Sequence, residues 1–208
     1  MIVLSVANQK GGVGKTTTVV SLGGLLSLQG YKTLLLDLDP HGSMTSYFRL
    51  NPDLIESGVY QLFVNHQEKK HRNTCDYICA TKFRDLGLIP ASTALATLDR
   101  QLGSIDGMGL VISRALSSVF DDYDFAIIDC PPQLGVLMVN ALAACKRLII
   151  PVQTEFLALK GLERMMRTLS MIAKAKQYKP DYSILPTMYD QRTRASRSTL
   201  STLRAQYH

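Results

Sequence analysis

No apolar run in these 208 residues approaches the roughly 18 that a membrane-spanning helix needs, so no transmembrane helix is expected within them. No leader of basic, apolar and small-residue regions precedes the first apolar segment, and a cytosolic protein is expected. Charged residues make up only 19% and hydrophobic ones 46%, a balance that fits a packed core and not a disordered chain. Internal repeats and low-complexity linkers are also missing, which leaves a single domain over residues 1–208. Cysteine is scarce: there are four, without the density of a disulfide scaffold. Cys130 and Cys145 lie in or beside apolar runs and read as small core residues. Cys75 and Cys79, with His66 and His71 upstream, match no strong zinc spacing, and His66 to Asn73 reads as a solvated polar loop.

What is present is uneven. Acids are outnumbered, and the imbalance is concentrated: between residues 160 and 208 ten Lys and Arg stand against three acids, a net of +7, while the first 159 residues sum to about −1. A basic third on a neutral body suggests an anionic partner on one face, although a basic helix face is more often simply solvated.

The most informative stretch is Lys10-Gly-Gly-Val-Gly-Lys-Thr-Thr17, between the apolar run Ile2 to Ala7 and a helical pattern from Thr18 to Gln29. Gly11, Gly12 and Gly14 let the backbone curl and present N–H groups, including that of Val13, to phosphate oxygens at the positive end of the following helix. Lys15 supplies a charge to the β- and γ-phosphates, and the Thr16 hydroxyl, followed by Thr17, is placed to ligate Mg2+. The general pattern wants glycine where Gln9 stands, and an additional lysine, Lys10, follows it.

Thr33 to Leu38 reads as a second buried strand, so strand, loop, helix and strand form a βαβ unit. It ends in Asp37-Leu-Asp39-Pro40, whose alternation puts both acids on one side at the ligand end of an open sheet, as metal-shell or water-positioning groups or as a polar strand end. Phe125 to Asp129 is an apolar strand ending in an acid and followed by Pro131-Pro132, the form of a Walker B strand that delivers one carboxylate to Mg2+; Gly135 could then sense the γ-phosphate through its backbone. Arg147 to Val152 and Tyr182 to Met188 read as further strands, with helices at Ala94 to Leu102, Met108 to Phe120, Phe156 to Ala175 and Ser196 to Gln206.

With the loop, Asp37-x-Asp39-Pro40, Asp129-Cys-Pro-Pro, Ile150-Pro-Val-Gln-Thr-Glu155 and Thr187-Met-Tyr-Asp-x-Arg192-Thr in one order, the chain resembles the ParA/MinD ATPases, and within them the members that position chemotaxis arrays and flagellar machinery. The resemblance implies an α/β P-loop NTPase fold, three layers around a mostly parallel sheet, that binds ATP and Mg2+ and hydrolyses ATP slowly. It implies a homodimer when ATP is bound, in which Lys10 reaches the partner's phosphates, and an activating partner protein. Lys10, Lys15 and Asp39 would be catalytic, Asp39 orienting the hydrolytic water, and Thr16, Asp39 and Asp129 would hold Mg2+, partly through water. Pro131 and Gly135 would form switch II. Arg192 falls where family members carry a DNA-contacting arginine, and with Arg194 and Arg197 it could pair with backbone phosphates without reading sequence. Family members continue through a further strand and helix, which this chain is expected to lack, as it is expected to lack the membrane-binding tail of MinD. A nonhydrolysing nucleotide-dependent scaffold and a small-molecule enzyme of the dethiobiotin synthetase type are the competing readings.

Overall fold

The computed structural model describes residues 1–70, 72–103, 105, 107–155, 157–176 and 180–207, with the backbone alone at 99, 175 and 176. His71, Phe156 and Lys179, on which sequence expectations fall, lie outside the described residues, as do His208 and the side chain of Lys176.

In chain order the regular elements are β1 (Ile2–Val6), α1 (Lys15–Leu28), β2 (Thr33–Asp37), α2 (Ser43–Tyr47), α3 (Val59–Gln67), β3 (Cys79–Ala80), β4 (Leu86–Ile89), α4 (Leu98–Leu102), α5 (Val111–Ser117), β5 (Phe125–Asp129), α6 (Val136–Ala144), β6 (Arg147–Gln153), α7 (Ala158–Lys176), β7 (Asp181–Thr187) and α8 (Arg194–Gln206). The strands form one sheet in the order β3-β4-β2-β5-β1-β6-β7. Every pairing is parallel except β3 against β4. Parallel strands need crossovers, and the helices that make them cover both faces, giving the three-layer α/β/α fold. Among the described residues no helix is long and apolar enough to cross a membrane.

Alternation along the strands divides the core. Leu35, Leu88, Ile127 and Val6 point to one face, where Val19 of α1 and Met44 of α2 meet them. Leu34, Leu36, Ile89, Ala126, Ile128, Leu148 and Ile150 point to the other, under α3, α5, α6 and α7. Leu162, Met165 and Leu169 are the buried stripe of α7. On the first face the fit is close at one point: a Cβ on Gly23 of α1 would stand 2.7 Å from Leu35 Cδ2, so the missing side chain sets how near the helix lies to β2.

Helix α1 begins three residues before the periodic pattern does. Gly14 takes left-handed angles (φ 89°) as its N-cap, and the Thr18 hydroxyl donates to the Gly14 carbonyl at 2.7 Å. The first turn is spent on Lys15 and Thr16, polar side chains that face the site and interrupt the apolar spacing. At its other end Gly30 (φ 86°) stops the helix as expected, with Tyr31 N–H donating to Leu26 O.

Candidate nucleotide site

Registry brings the site together. The ends of β2, β5 and β1 lie side by side, Asp37 opposite Asp129 and Asp129 opposite Val6. The chain leaves β1, which lies next to β5, into the loop, so Lys10 to Thr17 runs beside the strand ends that deliver the acids. Gly12 (φ 71°) and Gly14 hold left-handed conformations, and a Cβ on Gly11 or Gly12 would meet nothing within 4 Å, which leaves that face of the loop open for a ligand's approach. Val13 is buried and anchors the turn. Lys15, only 8% exposed, folds back so that Nζ lies 3.4 Å from the Lys10 carbonyl, while Thr17 is exposed.

The Thr16 hydroxyl donates to Asp129 Oδ2 at 2.6 Å. Asp129 Oδ1 is buried and has no hydrogen-bond partner among the described residues. Burial pushes the Asp129 carboxyl up to about 7; Asp37 and Asp39 add to the rise, and the Thr16 hydroxyl and Lys15 oppose it. A buried carboxylate oxygen without a donor among the described residues, beside a threonine hydroxyl, is a pair of oxygens suited to Mg2+ and fits that ion.

Asp37 departs from the expectation that it shares a role with Asp39. Its Oδ1 accepts from Asp39 N–H at 3.2 Å, and its Oδ2 accepts from Thr45 N–H at 2.8 Å and from the Thr45 hydroxyl at 2.7 Å. Burial raises its carboxyl to about 6, with those bonds opposing the rise. The strand stops at Asp37, so alternation no longer governs Asp39. Asp37 orders the segment that follows it, and Asp39 is the free end of that segment. Asp39 Oδ1 meets the backbone N–H and Nδ1 of His41, at 3.0 and 2.8 Å. With Pro131 and Gly135 it borders a cleft of about 460 Å3 between residues 39–41, 93–96 and 131–137.

Lys10 does not lie over its own loop. Its ammonium donates to Gln153 Oε1, at the end of β6, at 3.2 Å and forms an ion pair with Glu155 Oε1 just past it. Asn8 supports this bend: its Oδ1 accepts from Lys10 N–H at 3.0 Å while its Nδ2 donates to Pro151 O at 2.7 Å. Thr187, at the end of β7, donates to the Val13 carbonyl at 2.9 Å and so braces the loop from the side. In the sequence Gln153, Glu155 and Thr187 are motif letters that give no sign of these contacts. Only the parallel pairing of β6 with β7 beside β1 reveals them.

Arg192, Arg194 and Arg197 are not brought to the loop. They are exposed, Arg192 on the connection from β7 and Arg194 and Arg197 in the first turn of α8. Arg192 is bidentate to Asp190, with Nε to Oδ1 and Nη2 to Oδ2 at 2.9 and 2.8 Å, and that contact holds the Asp190 carboxyl below its usual range. Arg197 Nη1 donates to the Gln191 carbonyl at 3.0 Å. Of the cysteine and histidine quartet, His66 is drawn into α3 and paired with Arg114, and Cys75 is exposed.

The family model described as an AAA domain matches residues 1–184. The chain is 40% identical over 194 residues to the sporulation initiation inhibitor protein Soj of Bacillus subtilis, covering 92% of this chain and 74% of that protein. It is 34% identical over 208 residues to the chromosome partitioning protein ParA of Myxococcus xanthus, covering 99% and 71%. Among solved structures, cobyrinic acid a,c-diamide synthase from Mycobacterium smegmatis with bound ADP and magnesium superposes with a TM-score of 0.89 at 38% identity, covering 100% of this chain and 83% of that one.

Proposed function

Because the chain belongs to the ParA/MinD family of P-loop ATPases, partitioning and positioning ATPases that use ATP and Mg2+, we propose that residues 10–17 run a dimerisation switch driven by ATP binding and reset by slow hydrolysis. The observation that carries the reading is the unpartnered Asp129 Oδ1 beside the Thr16 hydroxyl, at the foot of an open glycine loop. The N–H groups of Gly11 to Thr17 and the Lys15 ammonium bind and orient the phosphates. Thr16 and Asp129, with Asp39 through water, would hold Mg2+, which would offset the charge on the phosphates. Asp39 accepts a hydrogen bond from the attacking water, exchanging its contact with His41 for that role. Pro131 and Gly135 carry the response into α6.

Lys10 belongs to the dimer in this reading. Its ammonium already lies away from its own phosphate cradle, and it must leave Glu155 to reach a second copy's nucleotide. The test is light scattering of the full chain: monomers become dimers with ATP, Lys10→Ala stays monomeric with ATP, and an ATP-loaded wild type that remains monomeric overturns the dimer.

Arg192, Arg194 and Arg197 form the output surface in this proposal, able to take backbone phosphates of DNA, and a partner protein accelerates hydrolysis in the cytoplasm, at the nucleoid or at a pole. Arg192 must exchange Asp190 for a phosphate, a change of modest cost because the pair is exposed. Arg192→Ala is expected to abolish retardation of DNA at low salt, and retardation that persists unchanged removes these arginines from the interface. The cargo proposed is a chromosome, a plasmid or a chemotaxis array. The Mycobacterium smegmatis neighbour, by its name a small-molecule synthase, favours a second reading in which ATP drives chemistry on an organic acid. Phosphate release that needs no added organic substrate decides for the switch.

A further inference from the structure

Away from the nucleotide loop, α3, the 3-10 turn Thr74–Tyr77 and α5 enclose a pocket of about 280 Å3. Three cations from two segments distant in sequence line it, Lys70 and Arg72 after α3 and Arg114 from α5, and among the described residues none of its lining is acidic. Lys70 has Glu68 at 2.6 Å. Among the described residues no carboxylate lies in ion-pair range of Arg72 or Arg114; Arg72 stands over the Tyr77 ring, 5.8 Å from its centroid. Arg114 Nη1 lies 2.9 Å from His66 Nε2. A guanidinium can only donate, so Nε2 accepts, and the ring is neutral with its proton on Nδ1. Burial and the Arg114 charge lower the His66 pKa in agreement with this. The buried Thr74 hydroxyl, bonded to that of Ser118 at 2.7 Å, completes a wall of polar groups.

Like charges gathered into one recess repel unless an anion joins them, and guanidinium forks match the oxygens of a tetrahedral oxyanion. We propose that this pocket binds the phosphoryl group of a small soluble molecule, of the phosphate or pyrophosphate class, at a site separate from the nucleotide loop. Its concavity favours a solute over a duplex, whose backbone would meet cations on an open surface. None of the three cations belongs to the loop, the acids or the arginines after β7, so the site stands whether or not the switch reading does.

The experiment is calorimetric titration of the full chain with sodium pyrophosphate after the loop has been saturated with Mg-ADP. One pyrophosphate per chain is expected. The pair Arg72→Gln and Arg114→Gln should weaken it at least about tenfold while ATP hydrolysis stays at the wild-type rate. Absence of saturable heat, or equal affinity in the double variant, overturns the proposal. So does retention of duplex DNA through these residues without pyrophosphate uptake, which would make the recess a backbone contact. Should the double variant fail to fold, Lys70→Gln and Arg72→Glu, on exposed side chains, settle the same question: affinity falls if the pocket is the site and is unchanged if it is not.

Discussion

Asp129→Asn is expected to raise the melting temperature of the nucleotide-free protein at pH 8 while cutting ATP hydrolysis by more than about a hundredfold. The first half follows from where the carboxylate sits. Asp129 is fully buried, and its pKa is raised from the usual 3.8 to about 7, first by burial and then by Asp37 and Asp39. An acid whose pKa is higher folded than unfolded holds its proton in the native state after the unfolded chain has lost its own. Its contribution is therefore most favourable at the acid end and is lost as pH rises from about 4 through 7. A shift of that size corresponds to on the order of 4 kcal/mol above pH 7. The amide carries no charge and can still accept from Thr16, although its N–H2 takes the place of an oxygen without a partner, which returns about 1–2 kcal/mol. The net gain of about 2 kcal/mol is a rise on the order of 5 °C for a chain of this size. Melting curves between pH 5 and 8 check it: the wild type loses stability across that range, and the variant keeps only the smaller slope below about pH 6 that belongs to Asp37. A variant less stable than wild type at pH 8 would contradict the account. Mg-ATP should reverse the order, stabilising the wild type more, since the variant lacks the charge that the ion requires.

Lys15→Ala is the second large effect, and it separates binding from folding. The ammonium is buried, yet its contact with the Lys10 carbonyl is a long one, so little native structure depends on it. Melting of the nucleotide-free variant should stay within about 1 kcal/mol of wild type, while ATP hydrolysis falls about a hundredfold or more, because a positioned cation is lost where phosphate charge develops. A second readout is independent of activity. Lys15 lowers the Asp129 pKa, so its removal should move the pH midpoint of the stability curve upward. Hydrolysis near the wild-type rate would remove Lys15 from the reaction.

The parts of this site that repeat a local pattern are legible in the chain alone. The glycine loop, the buried β5 ending in Asp129 and the two prolines after it are each written in adjacent residues, and the sheet places them where a βαβ unit must. What the sequence conceals depends on side chains meeting across the fold. Nothing near Lys10 says that its ammonium rests on Glu155, because strand order, and not spacing, puts β6 beside β1. The role of Asp37 is hidden because alternation, extended past the end of the strand, groups it with Asp39. Its true partner, Thr45, lies in a five-residue helix too short to carry a periodic signal. Arg192 reads as a free cation in the sequence, yet a neighbour two residues away, Asp190, already holds it.

The cleft between residues 39–41, 93–96 and 131–137 touches both segments that follow the site's acids, one after β2 and one after β5. Coupling between ligands is reciprocal. Whatever factor nucleotide imposes on the affinity of a molecule seated in that cleft, the molecule must return to the nucleotide, undiminished. An occupant that prefers the arrangement before hydrolysis would tighten ATP and prolong its stay; one that prefers the arrangement afterwards would hasten release. An occupant with either preference would set the residence time of the nucleotide from outside the glycine loop.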